Sequence, residues 1–144
     1  MRSTFAIKIM FEFHGWATIH ADDLDDPSIE ELEARELALT ARIQDAIREV
    51  ETANRGFHLN RMNGTLHLIF CGEHNHRDES IIRFFGSLSK IAPHSYGKLH
   101  VRDDEDPRGF ENTMREWTMA RGQVREATDD SMSPCIPALE DEYH

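Results

Sequence analysis

One stretch of this chain concentrates side chains capable of chemistry. Asp103, Asp104, Glu105 and Asp106 follow Arg102 without interruption, and Pro107 ends the run. Four adjacent carboxylates suit three roles: oxygen ligands for a hard cation, an acidic patch that meets a basic partner, or an ordinary solvated turn. The alternating oxygens and central glycine of a calcium loop are missing. Two of the carboxylates could act as general acid and base, but nothing around them in the sequence marks a pocket. The solvated turn ranks first, the contact patch second and catalysis third.

His74 and His76 are the next candidates, with Asp78 just beyond. In an extended segment this spacing puts both imidazoles on one side, where Asp78 or the acidic loop would complete a metal site and support a metal-dependent hydrolase. The pattern is not a signature, since H-E-x-x-H and cysteine-rich spacings are absent. With nine histidines in the chain, a close pair arises readily. G-x-S-x-G, P-loop and G-x-G-x-x-G patterns are also missing. Ser133-Pro134-Cys135-Ile136-Pro137 sets a cysteine between prolines, a rigid backbone better suited to packing than to nucleophilic attack. The expectation is a protein without catalysis, metal or cofactor.

The 144 residues include 16 basic and 27 acidic ones, a formal net charge of -11. That balance argues against a nucleic-acid surface, where phosphates demand Lys and Arg. It permits attraction to a basic protein, and it also serves solubility alone. The length fits one domain over 1–144, large enough for a core without staples. No apolar run approaches the ~20 residues needed to span a bilayer. Lys8 and Glu12 interrupt the first apolar stretch, so no signal peptide is read there. The expectation is a cytoplasmic protein with free thiols at Cys71 and Cys135 and no membrane contact.

The elements that must position these groups follow from periodicity. Phe5, Ile7, Ile9, Phe11 and Phe13, then Ala17 and Ile19, alternate with polar residues and predict a strand over Phe5–His20. Its polar face carries Lys8, Glu12, His14 and, if the phase holds, Trp16. The expectation for a lone tryptophan is the core, which requires a bulge at Gly15. Pro27 and Ser28-Ile29-Glu30-Glu31 open a helix that runs to about Thr52, its apolar stripe interrupted by Glu36. Asn63-Gly64 joins two alternating runs as a hairpin that pairs Leu59 with Leu68 and Phe57 with Phe70, leaving His58, Asn60, His67 and Cys71 on the other face. Asp78 caps a second helix with Ile81, Phe84, Phe85 and Leu88 on one stripe. Strands over Tyr96–Arg102 and Met114–Val124 follow, then an irregular tail over 126–144 that lies on the surface or frays. The order β-α-β-β-α-β-β is an α+β fold, a ferredoxin-like split β-α-β with one added strand, its helices on one face of a mainly antiparallel sheet.

Several short motifs also resemble those of a known family. They are Phe11-Glu12-Phe13-His14-Gly15-Trp16, Met62-Asn63-Gly64, Ser95-Tyr96-Gly97 leading into Arg102-Asp103-Asp104-Glu105-Asp106, Trp117 with Ala120-Arg121-Gly122, and Ser133-Pro134-Cys135-Ile136-Pro137. In this order the set resembles the immunity protein 7 family of bacterial polymorphic toxin systems, over about Phe11 to Asp141. The resemblance implies a small cytosolic α+β protein that neutralises a cognate toxin domain, in many such systems a nuclease. Two surfaces stand out for that contact. One is the acidic loop, Asp103, Asp104, Glu105 and Asp106; the other is the open sheet face with Lys8, Glu12, His14, His58 and His67. A homodimer that buries the same open face is the further alternative.

Overall fold

The computed structural model describes residues 10–21, 26–50 and 56–136. They form one six-stranded sheet of β1 (Phe11–Ile19), β2 (Phe57–Met62), β3 (Thr65–His74), β4 (Tyr96–Asp103), β5 (Met114–Ala120) and β6 (Gln123–Thr128). The strand order is β2-β3-β1-β4-β5-β6, with every neighbouring pair antiparallel. Strand β1 (Phe11–Ile19) lies at the centre, hydrogen-bonded to β3 (Thr65–His74) on one side and to β4 (Tyr96–Asp103) on the other. The first four strands reproduce the split β-α-β order expected from the sequence. Helices α1 (Ile29–Arg48) and α2 (Glu79–Ile91) account for the crossovers.

Alternation along β1 decides which face is the core. Phe11, Phe13, Ala17 and Ile19 are buried, whereas His14 and Trp16 are exposed on the other side. The expected bulge at Gly15 does not occur, because Gly15 pairs in register with Phe70 of β3 and with Leu99 of β4. Glycine is needed there for space. A Cβ at residue 15 would sit 2.1 Å from the Phe70 ring. The phase therefore continues unbroken, and Trp16 lies outside the core rather than in it. The stretch Phe5–Ile9, read as the start of this strand, lies outside the described residues.

Helix α1 begins as expected at Ser28, whose Oγ accepts the Glu31 N–H at 3.1 Å. Leu39, Ile43 and the following Val50 are buried, while Ile29, Leu32 and Leu37 remain exposed. Glu36, which interrupts the apolar stripe, finds Arg61 of β2 (Phe57–Met62) at 2.6 Å. The core contribution of α1 thus comes from its second half. Helix α2 is capped by Asp78, which accepts the Ser80 N–H at 3.0 Å. Its Ile81, Phe84, Phe85 and Leu88 are all buried, and Phe84 meets Phe57 and Phe70 edge-on at 5.1 and 5.4 Å.

Both hairpins use the same two-residue turn. Asn63 and Gly64 have φ of 52° and 78°, which sets the expected Phe57–Phe70 and Leu59–Leu68 pairs. The single strand read over Met114–Val124 is instead a second hairpin, β5 (Met114–Ala120) and β6 (Gln123–Thr128). Arg121 and Gly122 turn it with φ of 55° and 71°. An arginine in the left-handed region costs about 1–2 kcal/mol, so Arg-Gly announces a turn less clearly than Asn-Gly. Strand β6 takes up residues first assigned to the tail. Beyond it a short 3-10 turn, Asp130–Met132, leads to a docked segment. There Asn112 accepts the Ile136 N–H at 3.0 Å and donates to the Ile136 carbonyl at 3.1 Å.

The Gly15–Phe70 contact makes a direct prediction. Gly15→Ala should destabilise the protein by about 2–3 kcal/mol through overpacking, read from urea unfolding. Combined with Phe70→Leu, the double variant should lose less than the sum of the single losses, because the smaller residue vacates the space. Additive losses would show that the ring is not the obstacle.

Candidate functional site

The acidic loop is folded inward by arginines. Asp103 and Asp106 are each only 3% exposed. Asp103 accepts a hydrogen bond from the Arg77 guanidinium on one oxygen and the Glu105 N–H at 2.9 Å on the other. Asp106 takes the Arg108 backbone N–H at 2.9 Å and two guanidinium N–H groups of the same arginine at 3.0 and 2.9 Å. Asp104 accepts from Arg102 Nη1 at 2.8 Å and from the Met10 N–H at 3.2 Å. Glu105, the exposed member, accepts the Arg77 N–H at 3.1 Å and faces His76 at the same distance. Each of the four carboxylates thus has a partner within the chain.

Electrostatics follow this wiring. The Arg108 hydrogen bonds, stronger than the opposing effect of burial, hold the Asp106 carboxyl below the usual aspartate range, and the Arg108 guanidinium is raised in return. The Arg77 N–H, helped by His76, does the same for Glu105. Arg108 also reaches Glu126 of β6 at 2.8 Å, and Arg115 stacks over the Phe110 ring at 3.9 Å. The loop therefore ties β1, the start of α2 and the β5–β6 hairpin to the end of β4.

The two histidines of the candidate metal pair are turned to different carboxylates. His74 Nδ1 lies 2.7 Å from Asp78, with its ring against Phe11 and Phe13. His76 Nδ1 lies 3.1 Å from Glu105 of the acidic loop. The structure brings His76 and the loop together but sends His74 elsewhere.

The sheet face opposite the helices gathers the other expected residues. Register places Glu12, His14, Trp16 and Thr18 of β1 beside Arg102, His100, Lys98 and Tyr96 of β4, and beside Glu73, Cys71, Ile69 and His67 of β3. His58, paired with Ile69, continues the same row onto β2. Glu12, His14, His58 and His67 therefore share this face, while Lys8 lies outside the described residues. Of the large apolar side chains on this face, the sequence placed Trp16 here only on the condition of an unbroken phase, and it did not point to Ile69, Tyr96 or Met62. Met62 (49% exposed), Ile69 (48%), Tyr96 (48%) and Trp16 (44%) all point outward here. Trp16 meets Tyr96 edge-on at 6.2 Å. Strict alternation past Gly15 was the available signal for Trp16.

Salt bridges and the docked segment close one end of this face. Arg102 donates to Glu12 at 3.2 Å, and His14 lies 2.7 Å from the same carboxylate. Burial pushes Glu12 up, but the hydrogen bonds from His14 and Arg102 together hold it below the usual glutamate range. Ser133 Oγ accepts the Met114 N–H at 2.9 Å. Cys135 comes close enough to feel the charges of Arg102, Glu12, Asp104 and Asp129, and its burial pushes the thiol up. Both cysteines are free, as expected.

Because Asp106 is held ionised in the folded state, its stabilising effect is present above its ordinary value of 3.8 and is lost as pH falls through the depressed folded value. Asp106→Asn should cost roughly 2 kcal/mol at pH 7 by weakening the charged hydrogen bonds to Arg108. In urea unfolding the gap from the native protein should narrow below pH 4, where the native carboxyl takes up a proton itself. A gap that is constant with pH would contradict this assignment.

No curated protein and no solved structure matches the chain. The family model described as immunity protein 7 matches residues 10–141, a span that takes in both helices and all six strands. No helix among the described residues is long and apolar enough to cross a membrane. With nearly its whole length covered by that one match, the chain belongs to the immunity protein 7 family.

Proposed function

We propose that this protein binds a cognate toxin domain of a polymorphic toxin system and neutralises it by occluding its active site, without catalysis of its own. Family membership supports the immunity role, and one structural observation carries the choice of surface. Trp16, Tyr96, Ile69 and Met62 are exposed together on the sheet face opposite the helices. Exposed aromatic residues grouped with polar ones are the usual composition of protein contact surfaces, where a few tryptophans and tyrosines supply most of the binding energy. His14, His58 and His67 surround them, and Glu12 lies toward the Arg102 end.

The acidic loop serves this reading as a flank. Arg102 links Glu12 on the sheet face to Asp104 in the loop. Glu105 is the loop acid best placed to reach a partner, while Asp103 and Asp106 hold the loop's shape from inside. A net charge of -11 favours a toxin with a basic substrate cleft, such as a nuclease, and would speed encounter with it. The encounter takes place in the cytoplasm, where free thiols at Cys71 and Cys135 are the norm. A second copy of this chain is the other occupant that the apolar face would accept, as a homodimer.

Co-expression with the toxin domain encoded immediately upstream tests the reading. Survival of the host and co-purification of a stable complex are expected; toxicity without rescue or complex would overturn it. Trp16→Ala and Tyr96→Ala should each weaken the complex at least about tenfold, ~1.4 kcal/mol. Both side chains are half exposed, so the folded state should be nearly unaffected. Unchanged affinity in both variants would remove this face as the docking surface, and a dimer in light scattering would assign it to self-association instead.

A further inference from the structure

Three potential ligands converge where β4, β5 and the segment after β6 meet. His100 Nε2 lies 3.4 Å from Glu116 Oε2 and 3.2 Å from Asp129 Oδ2. All three residues are partly buried, and their ligand atoms lie within 4.8 Å of one another. We infer that His100, Glu116 and Asp129 form a binding site for a divalent transition-metal ion, best suited to zinc. This site is distinct from the His74 and His76 pair, and it does not depend on the toxin-binding reading.

Spacing is the first argument. A tetrahedral zinc ion with bonds of about 2.0–2.2 Å holds its ligand atoms about 3.3–3.5 Å apart. The two separations from His100, 3.4 and 3.2 Å, lie close to that edge length, so an ion fits with small adjustments. Ligand chemistry is the second. One imidazole nitrogen with two carboxylate oxygens is a borderline set that suits zinc, whereas calcium and magnesium prefer oxygen alone. Three protein ligands leave one position of a tetrahedral zinc site for water.

Support from outside the triad is the third argument. The Asp129 oxygen Oδ1 is already committed, accepting the Ser131 N–H at 3.1 Å and the Ser131 hydroxyl at 2.7 Å, which leaves Oδ2 turned to His100. Outer contacts of this kind fix the direction of metal ligands and raise affinity. Glu116 differs, because Lys98 Nζ donates at 3.1 Å to Oε2, the same oxygen that faces His100, and an ion must displace it there. Lys98 also offsets one of the two carboxylate charges and is the group that competes with an ion for Glu116. The chain brings two carboxylates onto one imidazole, and a dication satisfies both. Its binding would also fasten the segment after β6 to the sheet.

The test uses the full chain after treatment with a chelator. Zinc titration by calorimetry at pH 7.5 should show one site per chain, and cobalt(II) should give the visible absorption of a tetrahedral site with nitrogen and oxygen ligands. His100→Ala and Glu116→Gln should each lower zinc affinity at least about tenfold. His94→Ala, an exposed histidine in the turn before β4, should bind as the native protein does. Circular dichroism confirms that each variant is folded, and Glu116→Gln decides the matter if His100→Ala is not. No stoichiometric binding, or equal binding in the native protein and both ligand variants, would overturn the site and leave His100 as a plain polar contact of two carboxylates.

Discussion

Phe70 lies across the backbone of Gly15, and the rest of the sheet depends on that contact. β1 is the strand with a partner on each side that begins the core, so any kink in it would shift both ladders at once. The ring of Phe70 occupies the volume that a side chain at residue 15 would need. That lets the strand run straight and keeps Phe11, Phe13, Ala17 and Ile19 on one face. The same ring stacks on Phe57 and meets Phe84 of α2, so one aromatic group fixes the hairpin, the central strand and the second helix together. Because side chains alternate with a period of two, straightness on the core side dictates what appears on the other. Trp16 is outside because Gly15 is not bulged.

The second organising feature is electrostatic. Four acids in a row would repel one another in an open loop, yet here Arg77, Arg102 and Arg108 are distributed among Asp103, Asp104 and Asp106. Buried ion pairs contribute less to stability than their number suggests, since desolvation offsets much of the attraction. What they add is definition: an arginine fork donates to a carboxylate in few orientations. The loop's shape is set in this way, and Glu105 is left as its accessible charge. A chain with a net charge of -11 thus keeps its most acidic run locally neutralised.

Functionally the molecule divides into two faces with different chemistry. The helix side is a closed aromatic and aliphatic core. The opposite side mixes histidines, a tryptophan and a tyrosine over an antiparallel sheet, with salt bridges and the segment following β6 closing one end. A surface of this kind gains energy by covering a few large side chains and loses little by exposing histidines and acids at its rim. The proposed metal ligands stand on the same side, where the segment after β6 joins the sheet.

Much of the fold was legible in the sequence because local signals agreed with the global arrangement. The alternation of β1, the Asn63-Gly64 turn, the Ser28 and Asp78 caps and the α2 stripe each specify a short element by steric or hydrogen-bond rules that act within a few residues. The family motifs spread along the chain pointed the same way. The β5–β6 hairpin escaped because Arg121-Gly122 is a weak turn signal and the flanking runs read as one strand. The site was legible only in outline. Glu12, His14, His58 and His67 could be assigned to one face from their period, but whether Trp16 joined them turned on a ring from another strand. In the same way, four acids in a row cannot reveal that Arg77, 26 residues before Asp103, will reach in to cover it, nor can His100, Glu116 and Asp129 announce their meeting. Sequence by itself determined the elements from β1 to β4 and their order, since those follow from contacts between near neighbours. Tertiary structure alone decided which polar side chains meet and which large ones stay exposed, since those depend on groups that the fold, not the chain order, makes adjacent.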